Sequence, residues 1–360
     1  MKKKKGIAAA ALILAASLAA GGCGNAAGET GSAAAASSSA DGAVTREVFA
    51  MDTYMSLTAY GSSADQAVHD AIAKIKELDA MLTTGDDTSE VGKINANGSG
   101  TLPEDGKELM KRSLELYEST DGTFDISIYP VMELWGFPTK EYRVPDEQEI
   151  REALKLVDAS KIRFDGNTGE VSFAESGMKI DFGGIAKGYT SSKVMELFRQ
   201  EGVTSGLVNL GGNVQALGTK PDGSDWRIGI RGPGESDGDA EDYVGILTAS
   251  DKAVITSGGY ERYFEKDGKR YHHIIDPATG YPAESGVVSS TIVSADGTLA
   301  DGLSTTLFIF GPDRAAEYWR AHADEFDYVL MKDDGSLLVS EGLENSFTSD
   351  RKITIVRRDG

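Results

Sequence analysis

The sequence predicts an α+β fold, and three observations support this prediction. Short segments of alternating apolar and polar residues are joined by Gly, Asp and Asn turn signals, which is typical of β-hairpins. Amphipathic helical segments are inserted between these hairpins without a regular alternation of strand and helix, whereas a doubly wound parallel sheet requires that alternation. The body after residue 44, about 315 residues long, suits one large domain or two entwined lobes.

The first 22 residues predict an export signal. Lys2–Lys5 form a positive head, and Ile7–Ala20 is an apolar run too short to span a bilayer comfortably. Small residues then lead to Cys23, the only cysteine of the chain. This arrangement resembles a bacterial lipobox, in which the chain is cleaved before Cys23 and the thiol is acylated, and ordinary secretion with an unmodified cysteine is the alternative. The lipobox interpretation predicts a lipid anchor in the cell membrane, on its extracytoplasmic side.

Residues 23–44 are rich in Ala, Ser and Gly and predict a flexible tether that reaches about 25 Å. We expect the folded domain at 45–345 and a C-terminal tail at 346–360. Removal of residues 1–22 takes away four lysines and no acidic residue, which leaves 32 basic and 57 acidic residues and a net charge of −25. This charge argues against nucleic acid as a partner, and a bound polyanion would need a local cation.

The first elements of the body are predicted as a strand and a helix. Alternation over Glu47–Tyr60 predicts one strand. The next segment places Val68, Ile72, Ile75 and Leu82 on one helical face, with Ser63 as the N-cap. His69 falls off this apolar stripe, so we expect it on the exposed side.

Three further segments complete the prediction. Turn signals in the middle of Lys161–Phe173 predict a hairpin, and a second hairpin crosses Asp267–Gly268. The segment from Met178 to Gly202 predicts a strand, a glycine turn and a helix that stops at Gly202.

The glycine turn before that helix is the first candidate site. The chain lacks a Walker phosphate loop, HExxH, GxSxG and CxxC motifs. The amides that open a helix near Ile185 would face an anion, and Lys187 adds a positive charge one turn later. A tight connection without a ligand is the alternative interpretation.

The segment "LADGLSTTLFIFG" is a second candidate. On a helix, Asp301 and Thr305 are four residues apart and share one face. A carboxylate with a hydroxyl suits a hard cation such as Mg²⁺, although Asp301 could instead cap a helix or pair with a lysine. Paired glycines at 211–212 and 258–259 suggest backbone that passes close to a flat or bulky group, with a turn or bulge as the alternative.

His272 and His273 are two of only four histidines in the chain. Neighbours on a strand face opposite sides, so one of them can enter a cleft while the other meets solvent or a strand. A structural role and a catalytic role both remain open at this point. A neutral imidazole can take a proton from an attacking hydroxyl.

Together these segments resemble the ApbE family, the FAD:protein FMN transferases. Five motifs occur in family order, and they cover almost the whole body: "MDTYMSL", "TDGTFDISIYPVMELWGF", "DFGGIAKGY", "SGGYERYF…HHIIDPATGYP" and "ADGLSTTLFIFG". The resemblance implies a T-fold-like body with mixed sheets, packed helices and an FAD cleft between lobes. It also implies Mg²⁺-dependent transfer of the FMN half of FAD to a Thr or Ser hydroxyl of a target protein, with release of AMP.

The resemblance also implies site residues and partners. It assigns flavin contacts to Met51, Thr123, Phe124, Asp125, Asp181, Lys187 and Ile275. It assigns metal contacts to the carbonyl of Gly184 and to the side chains of Asp301, Thr305 and Ser304. His273 is the implied base. The implied partners are flavin-accepting subunits of membrane redox complexes or extracytoplasmic flavoproteins.

Two positions depart from the family pattern. Gly302 stands where members commonly have Ala, which would loosen the helix of Asp301, and Gly85 stands where some members place an aromatic over the flavin. Two alternative functions use the same residues. One is an Mg²⁺-dependent FAD pyrophosphatase that gives FMN and AMP, and the other is a lipoprotein that binds FAD without chemistry.

Overall fold

The computed structural model describes residues 37–38, 42–234 and 243–359. The predicted signal segment and Cys23 lie outside this part of the chain. Within it, no helix is both long enough and apolar enough to cross a membrane.

The strands and helices are numbered in chain order. The strands are β1 Ser37–Ser38, β2 Ala43–Ala50, β3 Thr53–Tyr60, β4 Ser99–Thr101, β5 Ile162–Phe164, β6 Glu170–Phe173, β7 Gly206–Leu210, β8 Asn213–Leu217, β9 Trp226–Arg231, β10 Tyr243–Ala249, β11 Ala253–Gly258, β12 Tyr263–Lys266, β13 Lys269–His272, β14 Val287–Ser294, β15 Phe326–Lys332, β16 Leu337–Ser340, β17 Phe347–Thr348 and β18 Ile353–Val356. The helices are α1 Ala64–Leu82, α2 Glu90–Asn97, α3 Glu104–Ser119, α4 Tyr129–Trp135, α5 Glu147–Leu154, α6 Ala186–Gln200 and α7 Gly297–His322.

A ten-stranded sheet forms the centre of the fold. Its strand order is β1-β2-β3-β7-β8-β11-β14-β15-β16-β18, and its neighbours are antiparallel except for the parallel pair β16 and β18. Three smaller sheets have the orders β17-β10-β9, β4-β6-β5 and β12-β13. The predicted α+β class is therefore confirmed.

Strand alternation divides the core between the two faces of the large sheet. Ile255 of β11 points to the face covered by α7, where it packs in one apolar cluster with Leu303 and Leu307. Its neighbour Val254 points to the opposite face and packs with Ile228 of β9. Because successive side chains of a strand face opposite sides, one sheet serves two cores. Helices α6 and α7 are thereby fixed against the sheet, and this contact positions the site described below.

The predicted single strand over Glu47–Tyr60 is wrong, because the segment forms the hairpin β2–β3. Its turn lies at Met51 and Asp52, which have φ values of 48° and 58°. Positive φ at both central residues is the geometry of a type I′ turn, which usually selects Gly or Asn. Here the Met51 amide donates to Asp79 Oδ1 at 2.9 Å. Asp79 of α1 therefore supplies part of the stabilisation of this turn, and the turn forms without the Gly or Asn that would have marked it in the sequence.

Helix α1 confirms most of the predicted apolar face. Val68, Ile75 and Leu82 are buried, Ile72 is half-buried, and His69 is exposed as predicted. The predicted capping role of Ser63 is wrong. Ser63 occupies the N-cap position with helical φ and ψ of −91° and 0°, and its side chain makes no cap hydrogen bond. A capping hydroxyl requires extended backbone at this position.

Both predicted hairpins are confirmed, as β5–β6 and β12–β13. Helix α6 is confirmed too, since it ends at Gln200 just before Gly202, which has a φ of 79°. The strand predicted at the start of that segment is wrong. The amide and carbonyl of Ile180 bond to the Asn95 side chain at 2.7 and 2.9 Å, so a side-chain amide replaces a partner strand.

The ends of the domain carry more structure than expected. Strand β2 begins at Ala43, and β1 pairs with it from within the predicted tether. The segment 346–360, expected as a tail, contributes β17 to the sheet of β10 and β18 to the large sheet.

Candidate active site

A cleft of about 2220 Å³ brings most of the sequence-predicted site residues together. Its wall is built from the β2–β3 turn, the start of α6, the strands β9 and β11, and the loop that follows β13. The predicted residues in the wall are Met51, Thr123, Phe124, Asp125, Asp181, Gly184, Lys187, His273, Ile275, Asp301 and Thr305. Ser304 does not line the cleft.

Asp301 lies on α7 and is a buried carboxylate of this wall, with 5% of its surface exposed. Its Oδ2 accepts a hydrogen bond from the Gly188 amide at 2.7 Å, and its Oδ1 accepts one from Asn213 Nδ2 at 2.9 Å. Burial raises the pKa of Asp301, and the nearby Lys187 charge opposes that rise. Asp301 therefore caps the start of α6. Its own helix, α7, is capped by Asp296, whose side chain accepts from the Leu299 amide.

Two glycines let α6 and α7 approach closely enough for this contact. A Cβ on Gly188 would lie 2.1 Å from the Gly297 carbonyl oxygen and 2.5 Å from the Asp301 Cβ. No side chain fits there without moving backbone, so only glycine permits the helices to touch. The carboxylate of Asp301 reaches the start of α6 for this reason.

Three of the opening amides of this helix, which were expected to face an anion, bond within the protein instead. The Ile185 and Ala186 amides donate to the Phe182 carbonyl at 2.9 and 2.8 Å, and the Gly183 amide donates to Asp181 Oδ1 at 2.9 Å. The anion that the helix start does bind is the Asp301 carboxylate. The charge of a bound phosphate must then be met mainly by side chains or by a metal.

The oxygen atoms near Asp301 suit a hard cation. Thr305 Oγ1 lies 3.2 Å from Ser257 Oγ at the cleft wall, whereas Ser304 is fully buried and donates to the Asp301 carbonyl at 2.7 Å. Ser304 is thus a structural residue, and its predicted place beside the metal is not supported by this geometry. An ionised carboxylate has about four acceptor sites, so Asp301 keeps acceptor capacity beyond its amide partners.

The donor set therefore fits Mg²⁺ as an incomplete shell. Asp301, Thr305 and Gly184 all line the cleft, and each has an oxygen of the kind that binds a hard cation. No group of three or more His, Cys, Asp or Glu side chains that could hold a metal occurs in the ranges that the structure describes. Mg²⁺ commonly completes such a shell with waters and substrate phosphates.

His273 is held by the backbone of the neighbouring hairpin. Its amide and its Nδ1 both bond to the Arg262 carbonyl, at 3.0 and 3.1 Å. A carbonyl can only accept, so Nδ1 carries the proton and Nε2 keeps a free lone pair. Burial, followed by the Arg262 charge, lowers the pKa of His273 to about 3. The imidazole is therefore neutral at pH 7 and able to accept a proton.

His272 faces the other way and is structural. Its Nε2 lies 3.1 Å from the Ala283 carbonyl and its Nδ1 accepts from the Ile274 amide at 3.3 Å, so both ring nitrogens are engaged. A Cβ on Gly259 would lie 2.9 Å from this ring, and one on Gly258 would lie 2.5 Å from the Tyr260 ring. The flat groups expected beside these glycines are thus the protein's own rings.

The second glycine pair and two carboxylates also have structural explanations. Gly211 and Gly212 form the β7–β8 turn with φ values of 65° and 101°. Asp125 accepts from the Ser127 amide at 2.7 Å and its hydroxyl at 2.6 Å, and burial raises the pKa of Asp125. Burial also raises the pKa of Asp181, whose Oδ1 accepts from Gly183.

Four residues of the site were not predicted from the sequence. Asn213 orients Asp301, Ser257 contacts Thr305, and the Arg262 carbonyl orients His273. Glu261 also lies in the cleft wall. The glycine pair 211–212 directly precedes Asn213, and the pair 258–259 directly follows Ser257. These glycine pairs were the only sequence features that pointed to the two residues. The charged run "YERYF" gave no such signal, because charged side chains on a hairpin are usually solvated.

Comparisons with known proteins agree on one family. The ApbE family model matches residues 51–330. The FAD:protein FMN transferase of Klebsiella pneumoniae (strain 342) is 34% identical over 283 residues, which cover 77% of this chain and 86% of that protein. The FAD:protein FMN transferase of Treponema pallidum (strain Nichols) is 32% identical over 296 residues, covering 77% of this chain and 81% of that protein.

Two solved structures have the same fold. The ApbE protein of Thermotoga maritima matches with a TM-score of 0.76 at 33% identity, covering 83% of this chain and 97% of that one. The apo flavinyl transferase ApbE of Pseudomonas stutzeri matches with a TM-score of 0.71 at 29% identity, covering 85% of this chain and 93% of that one.

Proposed function

Because this chain belongs to the ApbE family and is a flavin transferase, we propose that it transfers the FMN moiety of FAD to a Thr or Ser hydroxyl of a target protein. AMP is released, and Mg²⁺ is required. The observation that carries this proposal is a neutral imidazole, with Nε2 free, in the same cleft as the Asp301 carboxylate and the Thr305 hydroxyl of α7.

His273 is the proposed base. Its Nδ1–H remains on the Arg262 carbonyl, so Nε2 takes the proton of the acceptor hydroxyl. The hydroxyl oxygen attacks the phosphorus of the FMN half. The bond from that phosphorus to the bridging oxygen breaks, and the bridging oxygen leaves with AMP. The chemistry needs no covalent enzyme intermediate.

Charge in the cleft supports binding of a pyrophosphate. Lys187 and Arg262 both lower the pKa of His273 through their positive charge. A bound pyrophosphate would offset these cations and raise the basicity of the imidazole. Asp301, Thr305 and the Gly184 carbonyl would hold Mg²⁺, which when bound supplies positive charge that stabilises the phosphoryl oxygens.

The test is product analysis by mass spectrometry after incubation with FAD, Mg²⁺ and a candidate acceptor protein. Transfer predicts that a Thr or Ser residue gains the mass of FMN less one water, together with one AMP per acceptor. Free FMN with AMP and no modified acceptor indicates the pyrophosphatase. Intact FAD after Mg²⁺ addition indicates the non-catalytic FAD-binding protein.

We propose further that Cys23 is acylated and tethers the domain to the outer face of the cell membrane. This is supported by the basic head, the apolar run and the small residues before Cys23. Flavin-accepting subunits of membrane redox complexes or extracytoplasmic flavoproteins would be the partners there. Metabolic labelling with a palmitate analogue tests the anchor, since Cys23→Ser should remove the label.

A further inference from the structure

We propose that a second cavity, at the start of α7, binds a phosphate group, either inorganic phosphate or a small phosphate ester. This cavity has a volume of about 330 Å³ and shares no lining residue with the cleft described above. It lies where α3, α6, β8 and the first turn of α7 meet. Small-molecule pockets have volumes of roughly 300–1,000 Å³, so the cavity suits a small ligand. The inference goes beyond flavin transfer, because none of the residues assigned to that reaction takes part.

The first turn of α7 has one backbone amide without a partner. The Gly297 amide donates to Ser192 Oγ at 3.1 Å. The Leu299 amide donates to Asp296 Oδ1 at 3.0 Å. The Thr298 amide lies between them in the cavity wall and has no hydrogen-bond partner in the ranges that the structure describes. Amides at the start of a helix carry partial positive charge and commonly bind phosphate.

Two buried side chains of the cavity wall also have unused hydrogen-bond donors. Thr298 is 5% exposed and Gln215 is 4% exposed. Gln215 Oε1 accepts from Ser191 Oγ at 2.6 Å, whereas Gln215 Nε2 and Thr298 Oγ1 have no partner among the described residues. Neither atom belongs to the unpartnered side-chain atoms that are sealed from solvent in that part of the chain. Both atoms therefore face the cavity, and a buried donor without a partner favours a ligand that supplies acceptors.

Gly297 allows these donors to lie close together. A Cβ on Gly297 would lie 2.6 Å from Gln215 Oε1 and 2.8 Å from Ser192 Oγ. Because only glycine fits there, the start of α7 packs directly against β8 and α6. Thr298 and Gln215 then present four N–H and O–H donors to one small cavity. A phosphate group has three or more acceptor oxygens and matches this set better than a carboxylate, which has two.

The charged residues of the cavity wall favour an anion. They are three cations and three carboxylates: Arg112, Lys193, Arg199, Glu108, Glu196 and Asp296. The carboxylate side chains are 37%, 49% and 53% exposed, whereas those of Lys193 and Arg112 are 19% and 35% exposed. Each carboxylate is also ion-paired with Lys193 or Arg112, at 2.6–3.3 Å. The more buried charges are thus positive, and the dipole of α7 adds to them.

The first test is equilibrium dialysis of the full chain against radiolabelled inorganic phosphate at constant ionic strength. The chain is first saturated with FAD in EDTA, so that FAD and not phosphate occupies the cleft. We expect saturable binding of one phosphate. Competition by unlabelled glycerol phosphate distinguishes the sources, because stronger competition than by unlabelled phosphate indicates an ester and weaker competition indicates the free ion. Without saturable binding at concentrations that fill a millimolar site, the proposal is wrong.

The second test removes one donor from the cavity. Thr298→Val keeps the shape of the side chain and should raise the Kd for phosphate about tenfold or more, because a hydrogen bond to a charged group is lost. Thr298→Ser keeps the hydroxyl and should bind as wild type does. Thr306→Val is the matched control, since its buried hydroxyl on the same helix donates to the Gly302 carbonyl and lies outside the cavity wall. Wild-type phosphate affinity in Thr298→Val would overturn the proposal.

Unchanged FAD affinity in the three variants shows that each of them folds. A third test needs no variant and applies even if Thr298→Val does not fold. Crystals of the wild-type chain with FAD are soaked in selenate, a tetrahedral oxyanion whose position is read from anomalous scattering. We expect a peak within hydrogen-bond distance of Thr298 Oγ1 and Gln215 Nε2. Selenate peaks only at other places would contradict the site.

Discussion

The close contact between α6 and α7 can be tested by adding a single Cβ atom at Gly188. In Gly188→Ala the new Cβ would sit 2.1 Å from the Gly297 carbonyl oxygen, on backbone that cannot rotate away. The helices must separate by about 1 Å to restore ordinary contact. The Gly188 amide would then lose its 2.7 Å hydrogen bond to Asp301.

The magnitude follows from three contributions. Overpacking costs about 1–3 kcal/mol. A hydrogen bond to a charged group contributes about 1.5–3 kcal/mol. Replacing Gly by Ala in a helix returns about 1 kcal/mol. We therefore expect Gly188→Ala to lower the free energy of unfolding by about 1.5–5 kcal/mol. Because Asp301 moves, Mg²⁺-dependent FAD turnover should also fall.

Urea unfolding of the purified chain measures the stability, and AMP release at saturating FAD measures the turnover. Gly302→Ala is the matched control on α7. Its Cβ would lie 2.2 Å from Leu116 Cδ2, the end of a side chain that can rotate, so the cost should be smaller. The substitution Leu116→Val should lower the free energy of unfolding less in the Gly302→Ala background than in wild type, because the shorter side chain makes room for the new methyl group. A Gly188→Ala protein within about 0.5 kcal/mol of wild type, with full activity, would refute the close contact.

Four further predictions concern the cleft. His273→Gln should lower transfer about 10²–10⁴-fold at unchanged FAD affinity, and an unchanged rate would discard this base. The pKa of His273 is lowered from 6.5 to about 3 in the folded protein. As the pH falls below 6.5, the unfolded chain therefore binds a proton that the folded protein does not. Per pH unit, wild type should lose up to about 1.4 kcal/mol more of its free energy of unfolding than His273→Gln does. Equal slopes in acid unfolding would contradict this shift. Asp301→Asn should weaken Mg²⁺ binding, measured by calorimetry, and lower turnover at least about 100-fold, measured by AMP release. Asp296→Asn, at the start of the same helix, should leave both quantities unchanged. Gly85→Tyr, whose Cβ enters open space, should tighten FAD binding about 2–13-fold by ring stacking, as measured by flavin fluorescence, and an unchanged affinity would show that the ring does not cover the flavin.

The Gly302 departure shows how the packing changes a sequence-based expectation. Glycine in a helix is expected to weaken it, and the sequence predicts a loosened α7 for that reason. In the structure Gly302 leaves room for Leu116 of α3, so the missing methyl group is compensated by packing. The partner lies 186 positions earlier in the chain, and no local pattern identifies it.

Local periodicity was enough to predict the class of the fold. The hairpins β5–β6 and β12–β13 and helix α6 depend on alternation, turn residues and a terminal glycine, all of which act over a few residues. The β2–β3 turn escaped this reasoning because Asp79, distant in sequence, receives the Met51 amide. Local rules fail where a long-range hydrogen bond replaces the usual turn residue.

Patterns within the sequence are sufficient to predict the α+β class, the order of the five family motifs and the residue types of the site. Which atoms of those residues are available depends on the folded structure. It placed the Arg262 carbonyl on His273 Nδ1, the start of α6 on Asp301, and the Ser304 hydroxyl in the interior. Hydrogen-bond partners and desolvation depend on which groups meet in space, and segments far apart in the chain meet only in the folded protein.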